Sequence, residues 1–165
     1  MNKRRNFLKA GFLSSVIFIV SKGELFGATT ILQTLEVMQK DLFPQANDTP
    51  SFEQINPNKY LLIIFSHSKI TQESKDYLRN GVAWVNEEAV ELFGKTYTQL
   101  SAFQRQKVLI SISSHDWGKD YMDTVLSYLM EALLGDSIYG VNKNGSGWKW
   151  LNHESGQPRP KKAYL

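Results

Sequence analysis

Residues 71–94 read TQESKDYLRNGVAWVNEEAVELFG, and this stretch carries the clearest structural pattern in the chain. Thr71 can accept a hydrogen bond from the free amides of a helix start, and Glu73 would lie in the first turn, where the helix dipole favours an anion. Gly94 suits the left-handed cap that ends many helices. Between these ends, apolar residues recur at spacings of three and four: Leu78, Val82, Val85, Ala89 and Leu92. The pattern predicts one long helix with a continuous apolar face.

Two further helices are predicted downstream of this stretch. Ser101 and Gln104 form a capping box, in which each side chain bonds the other residue's backbone amide, and the helix continues through Val108, Leu109 and Ile112. Residues 113–119 are polar and predict a turn. Residues 120–134 predict the next helix, closed by Gly135, with these apolar positions: Tyr121, Met122, Val125, Leu126, Leu129, Met130 and Leu133.

Upstream, two more helices are predicted. Thr29 or Thr30 is a candidate cap for a first helix, which Pro44 would end. Its apolar positions are Ile31, Leu32, Leu35, Val37, Met38, Leu42 and Phe43. Asn56-Pro57 supplies a cap and a first-turn proline for a buried helix through residues 60–65. Strand signals are weak throughout. We therefore expect residues 29–135 to form an all-α domain, a compact helical bundle.

Residues 136–165 follow a different pattern, rich in glycine and tryptophan and without helical periodicity. We expect an irregular extension, a loop followed by a tail. Long structured loops usually carry function, and Tyr and Trp are the residue types most enriched in interface hot spots. A partner-docking role is favoured for the following residues: Tyr139, Gly140, Asn142, Gly147, Trp148, Trp150, Pro158 and Arg159.

Other interpretations of this extension stay open. Trp148 and Trp150 could form a sugar-stacking surface, as in a free-standing carbohydrate-binding module, or they could simply cover the helical core. Phosphate binding is disfavoured, because a phosphate-binding loop requires Gly-x-x-x-x-Gly-Lys-Ser/Thr, whereas Gly145 is followed by Ser146-Gly147.

The N-terminus has the features of an export signal. Arg4 and Arg5 are followed by Phe7, Leu8 and Lys9, and then by an apolar run over residues 10–20. This arrangement resembles a twin-arginine signal, which directs folded proteins to the bacterial twin-arginine translocon. The run is shorter than the roughly 20 residues that span a bilayer. We expect residues 1–28 to be a signal peptide; an ordinary secretory signal and a basic amphipathic segment lying on lipid are the alternatives.

Charge and cysteine content exclude several function classes. Without residues 1–28 the chain has 14 lysine and arginine residues against 15 carboxylates, so the remaining domain is nearly neutral. It therefore lacks the basic footprint of a nucleic-acid-binding protein. The chain has no cysteine, which excludes thiolate-held zinc, cysteine-ligated iron–sulfur clusters and a covalently attached c-type haem.

Several of these motifs occur together in one known family. They are the run Leu133–Asn142, Gly147-Trp148, Pro158-Arg159, Phe43-Pro44, Phe93-Gly94-Lys95, Leu100-Ser101 and the twin-arginine leader. This combination resembles the gluconate 2-dehydrogenase subunit 3 family. The likeness extends over most of the chain and is most specific in the run that ends at Asn142.

The resemblance implies a non-catalytic subunit that holds no cofactor of its own. In such complexes a large flavoprotein of the glucose–methanol–choline oxidoreductase type holds FAD, and a cytochrome c subunit passes electrons to quinone. The large subunit generally lacks a leader and must acquire FAD in the cytoplasm. We therefore expect the small subunit to escort it, already folded, through the twin-arginine translocon. The expected location is the periplasm, in a complex associated with the inner membrane.

A small exported hydrolase is the rival hypothesis. His115 and Asp116 are adjacent, and Ser113 or Ser114 would be the nucleophile. Catalysis would require these side chains to converge in a pocket, and adjacency in sequence does not provide that geometry. We expect His115 and Asp116 to act as cap and turn residues.

Overall fold

The computed structural model describes residues 24–43 and 46–164. The chain divides after Ile31 into two units, and of the first only residues 24–31 are described, as the start of helix α1. The α-helices are α1 (Glu24–Leu42), α2 (Phe52–Ile55), α3 (Pro57–Ser66), α4 (Gln72–Phe93), α5 (Ala102–Ser113), α6 (Asp116–Leu134) and α7 (Ser146–Trp150). Short 3-10 helices lie at Tyr97–Gln99, Ser137–Tyr139 and Lys143–Gly145. The all-α prediction is confirmed, and the described ranges contain no β-strand.

Helix α4 forms largely as its sequence predicts. The Thr71 hydroxyl accepts from the Ser74 amide at 3.2 Å, and Gly94 ends the helix with a φ of 68°. Four residues of the predicted apolar face are buried, but the fifth, Leu92, is 43% exposed, so that part of the prediction is wrong. The next inward position is Phe93, four residues after Ala89, and its side chain is half-buried.

The corner between α5 and α6 is tighter than predicted. The capping box of Ser101 and Gln104 is present, but α6 begins at Asp116, so residues 116–119 are helical and the predicted seven-residue turn is wrong. Gly118 explains the short corner, because a Cβ there would lie 2.0 Å from the Ile112 carbonyl oxygen. Only glycine allows the first turn of α6 to approach the end of α5 so closely.

Helix α1 also departs from its prediction. It is already helical at Glu24, so Thr29 and Thr30 lie within it and neither is its cap. Residues 24–28 contain no proline, and a single glycine inside a helix costs only about 1 kcal/mol. The helix crosses the predicted signal boundary at residue 28 and ends at Leu42; Pro44, its predicted stop, lies outside the described residues.

Helix α6 is the central element, packed against α3, α4, α5 and α7. The ring of Tyr121 packs on Gly81 of α4, where a Cβ would lie 1.9 Å from it, and its hydroxyl donates to the Leu78 carbonyl. The predicted helix through residues 60–65 is confirmed as α3, with Pro57 in its first turn. None of the helices in the described residues has the length and apolarity needed to cross a bilayer.

A network of polar contacts fixes the end of α1 against α5. The guanidinium of Arg105 pairs with both carboxylate oxygens of Asp41, at 2.6 and 3.0 Å, and the Tyr97 hydroxyl donates to the same carboxylate at 2.8 Å. Tyr97 is fully buried. Burial, reinforced by the hydrogen bond to Asp41, raises the pKa of Tyr97 well above that of an ordinary tyrosine.

A second group of apolar side chains joins α6 to the C-terminal extension. Its buried members are Phe43, Ile55, Leu129, Ala132, Leu133 and Val141. Phe52, Tyr60, Leu126, Met130, Tyr139 and Trp150 pack against them. We call this group the C-terminal core. It holds the extension on the helical domain.

Candidate partner-docking site

The extension is an ordered structure, which we call the C-terminal platform and define as residues 136–160. It comprises the 3-10 helices Ser137–Tyr139 and Lys143–Gly145, helix α7, and a tail without regular secondary structure. The sequence predicted an irregular segment because helices of three to five residues are too short to show a periodic apolar pattern.

Asn142 is the centre of the platform. Its side chain is fully buried, donating through Nδ2 to the Gly135 carbonyl at 2.9 Å and accepting at Oδ1 from the Gly147 amide at 2.8 Å. Its own amide donates to the Ile55 carbonyl at 3.0 Å, and its carbonyl accepts from the Ser137 hydroxyl at 2.6 Å. Asn142 therefore ties α2, the end of α6 and α7 together.

The backbone at Asn142 is left-handed, with a φ of 43°. Asparagine is among the few residues with a side chain that adopt this conformation readily. The position therefore requires a residue that tolerates a positive φ and that also carries a side-chain amide able to donate and accept.

Gly147 and Gly140 also allow the platform to pack closely against the helical domain. A Cβ at Gly147 would lie 2.0 Å from the Leu133 carbonyl oxygen, so glycine permits α7 to pack directly on the last turn of α6. Gly140 has a φ of 79°, and its carbonyl accepts from Asn56 Nδ2 at 2.7 Å. The sequence predicted Asn56 as a side-chain cap for α3, but its side chain makes no capping hydrogen bond. Its side-chain amide instead binds the platform through the Gly140 carbonyl.

Two of the aromatic rings in the platform belong to the C-terminal core. Tyr139 and Trp150 are half-buried against it, and the Trp150 ring contacts Phe43 edge-on, with 6.0 Å between ring centroids. The sequence left open whether the tryptophans cover the core, and Trp150 does so.

Trp148 is half-buried and lies outside the C-terminal core. Residues of this chain bind both its indole N–H and one face of its ring. Its indole N–H donates to the Leu134 carbonyl at 2.8 Å, and the Arg159 guanidinium lies over its ring at 4.2 Å from the centroid. Arg159 in turn pairs with Asp136 at 2.8 Å and donates to the Ser155 hydroxyl. Pro158, the residue before it, is exposed. The arginine therefore occupies one of the two ring faces on which a sugar could stack.

An open cleft of about 530 Å³ lies along the platform surface. Its lining residues are Ser137, Asn144, Gly145, Trp148, Lys149, His153, Glu154, Ser155 and Gln157. Most of them are polar and exposed. The platform thus presents an open, largely polar cleft, and Asn142, Gly147 and the C-terminal core support the platform from below.

The predicted hydrolase residues do not form a catalytic arrangement. The hydroxyls of Ser113 and Ser114 donate to backbone carbonyls of their own helix, at 2.7 Å each. His115 is the N-cap residue of α6, and its exposed imidazole stacks on Trp117 with 6.3 Å between centroids. Neither serine hydroxyl is therefore directed at a base. The described residues also contain no group of three His, Asp or Glu side chains placed to hold a metal ion.

The platform coincides with the motif run that suggested a family resemblance. A family model described as gluconate 2-dehydrogenase subunit 3 matches residues 31–156, which include α1 from its eighth residue and nearly the whole platform. The chain belongs to the gluconate 2-dehydrogenase subunit 3 family. The family is that of a subunit of a multi-subunit gluconate dehydrogenase complex, which implies partner subunits. Comparisons with curated proteins and with solved structures found no match.

Several residues of the family motif form the internal contacts of the platform. Asn142, Gly147 and Trp148 occur in the motifs that the subunit 3 resemblance rests on, and each maintains the internal structure of the platform. Sequence reasoning missed Asn56 and Asp136, whose partners lie 84 and 23 positions away. The export-signal residues Arg4, Arg5, Phe7, Leu8 and Lys9 lie outside the described residues.

Proposed function

We propose that this chain is the non-catalytic small subunit of a periplasmic, FAD-dependent dehydrogenase complex. The large subunit would be a flavoprotein of the glucose–methanol–choline type that oxidises gluconate, a sugar or an alcohol, and a cytochrome c subunit is a further expected partner. The observation that carries the proposal is the family match over residues 31–156, because it spans both the helical domain and the platform.

The platform is the surface we propose for the large subunit. A preorganised surface loses little conformational freedom on binding, and more of its contact energy is then retained as affinity. Internal hydrogen bonds fix Asn142 and Trp148, and core contacts fix Trp150. The exposed residues above them, such as Leu151 at 47% exposure, are available for contact.

We further propose that the N-terminal signal exports both proteins. FAD enters a flavoprotein during folding in the cytoplasm, so the loaded large subunit must cross the membrane folded. Arg4 and Arg5 match the signal for the translocon that accepts folded cargo. The complex would then reside in the periplasm, associated with the inner membrane. A large FAD-binding reading frame without its own leader, next to the gene for this chain, would support the escort role.

Affinity purification of the tagged chain from cells that make the whole complex tests the docking proposal. The wild-type chain should retain a large protein with flavin absorbance, whereas the chain produced alone should show none. Leu151→Asp places a charge on the platform and should reduce retention. Ile110→Asp is the matched control, because Ile110 is 68% exposed on α5, outside the platform.

Replacement of Trp148 and Trp150 by Ala is a second, less selective variant. It should also release the partner, but it removes a ring from the C-terminal core and requires a circular dichroism check of folding. A wild-type chain that retains no flavoprotein would contradict the docking proposal. Flavin bound to the chain produced alone would contradict the cofactor-free assignment.

A further inference from the structure

The charges of this chain are distributed unevenly between the helical domain and the C-terminal segment. Residues 136–165 contain five lysine and arginine residues and two carboxylates, whereas residues 29–135 contain nine and thirteen. The C-terminal segment is therefore positive by 3 and the helical segment negative by 4. A near-neutral domain thus has a positive end.

The positive charges of this segment are only partly neutralised by its neighbours. Arg159 is compensated by Asp136, and Lys143 lies 3.6 Å from a carboxylate of Glu53, which is 89% exposed and therefore strongly solvated. In the described residues no ion pair includes Lys149, Lys161 or Lys162. Lys162 lies 5.9 Å from the ring centroid of Tyr164 instead.

The platform cleft brings one of these lysines into a concave site. Lys149 lines the cleft together with His153, and the side-chain amides of Asn144 and Gln157 add neutral donors. One carboxylate, Glu154, is also in the lining. The cleft volume of about 530 Å³ lies within the usual range of ligand-binding clefts, and the cleft is open to solvent.

We propose that this cleft binds an acidic segment of the large subunit, with Lys149 as a direct partner for its carboxylates and the remaining lysines of residues 136–165 supplying the surrounding positive field. The inference rests on the proposed function, since it names the part of the large subunit that the platform meets. The open cleft places the Trp148 ring and the Lys149 side chain along one lining, where an extended peptide segment can contact both. Exposed charges of this kind act mainly on association and on partner choice.

Two substitutions with opposite expected effects test this inference. Lys149→Gln removes attraction and should weaken binding of the purified large subunit, while Glu154→Gln removes repulsion and should strengthen it. Both side chains are exposed, so we expect about a two- to five-fold change in the dissociation constant for each. Lys119→Gln, at an exposed position on α6, is the control and should leave the constant unchanged. Raising the salt from about 0.1 M to 1 M should shrink both effects, because the Debye length falls from about 10 Å to 3 Å.

The outcomes separate the inference from the function on which it rests. If the wild-type chain binds the flavoprotein but the two variants shift its affinity in the same direction, or not at all, the acidic-segment inference is wrong and the docking proposal stands. If Lys149→Gln weakens binding to phosphatidylglycerol vesicles and leaves the flavoprotein affinity unchanged, the positive surface serves a membrane and the inference is also wrong. If the wild-type chain binds no flavoprotein, the proposed function and the inference fail together.

Discussion

Replacing Asn142 by alanine should destabilise the packing of the platform against the helical domain. The substitution leaves the Gly147 amide and the Gly135 carbonyl without their side-chain partners at a fully buried position. Each unsatisfied buried group costs about 1–3 kcal/mol. The φ of 43° adds about 1 kcal/mol for alanine, which tolerates the left-handed region less well than asparagine. We therefore expect the free energy of unfolding to fall by about 3–7 kcal/mol.

Urea denaturation of the purified chain, followed by circular dichroism and by tryptophan fluorescence, measures this loss. Asn142→Gly should cost about 1 kcal/mol less than Asn142→Ala, because glycine adopts the left-handed backbone freely while the hydrogen bonds are still lost. Asn144→Ala is the matched control. Asn144 has a φ of 57° but is exposed, and its side chain makes no hydrogen bond among the described residues.

The difference between the two alanine variants therefore isolates the buried hydrogen bonds. Asn144→Ala should cost only about 1 kcal/mol, the price of the backbone conformation alone. If Asn142→Ala and Asn144→Ala lower the free energy of unfolding equally, Asn142 is not the centre of the platform and the reasoning fails.

Two further predictions concern packing and pH. Gly147→Ala should destabilise the chain by about 2 kcal/mol or more, because the new Cβ would lie 2.0 Å from the Leu133 carbonyl oxygen; Gly156→Ala, with nothing within 4 Å, should be neutral in the same urea titration. The raised pKa of Tyr97 means that the native state keeps its proton where the unfolded chain, with a tyrosine pKa of 10.0, loses it. Stability conferred by Tyr97 is thus complete below pH 10 and decreases above it, by about 1.4 kcal/mol per pH unit. Tyr97→Phe should lessen that alkaline slope in urea titrations between about pH 8 and 11; an unchanged slope would show that Tyr97 titrates alike in both states.

The helical domain was the part of the fold that the sequence could predict. Helix α4 is 22 residues long with an amphipathic pattern, a capping threonine and a terminal glycine, so local signals agree over six turns. The start of α6 was mispredicted because the close contact between Gly118 and Ile112 is a packing event that no local propensity reports. The early start of α1 was not predicted, because residues 24–28 belong to the predicted signal peptide.

The composition of the platform predicts a functional segment, but its internal construction was not predictable from the sequence. Tyr and Trp suggested exposed contact residues, whereas Trp150 lies against Phe43 and the indole N–H of Trp148 is bonded to Leu134. Contacts such as Asp136 with Arg159 join residues 23 positions apart, and spacing in a single sequence does not reveal them. One local signal was available: Asn142, Asn144 and Gly145 are residue types that accept positive φ, and all three adopt it.

This construction changes how the family motif is interpreted. Its asparagine, glycine and tryptophan residues maintain the shape of the platform, and the neighbouring exposed side chains are those available for contact with a partner. Substitutions at Asn142 or Gly147 should therefore abolish docking through loss of structure, whereas substitutions at Leu151 or Lys149 should weaken docking in a folded protein. Stability and partner retention measured on the same variants distinguish these two cases.

The proposed co-export relies on one signal for two proteins. Its most direct test is to replace Arg4 and Arg5 by Lys in cells that make the complex, and to measure the flavoprotein in periplasmic and cytoplasmic fractions. Lysine keeps both positive charges, so the double substitution separates recognition of the arginine pair from charge alone. We expect the large subunit to remain in the cytoplasm together with this chain. A flavoprotein that still reaches the periplasm in normal amounts would contradict it.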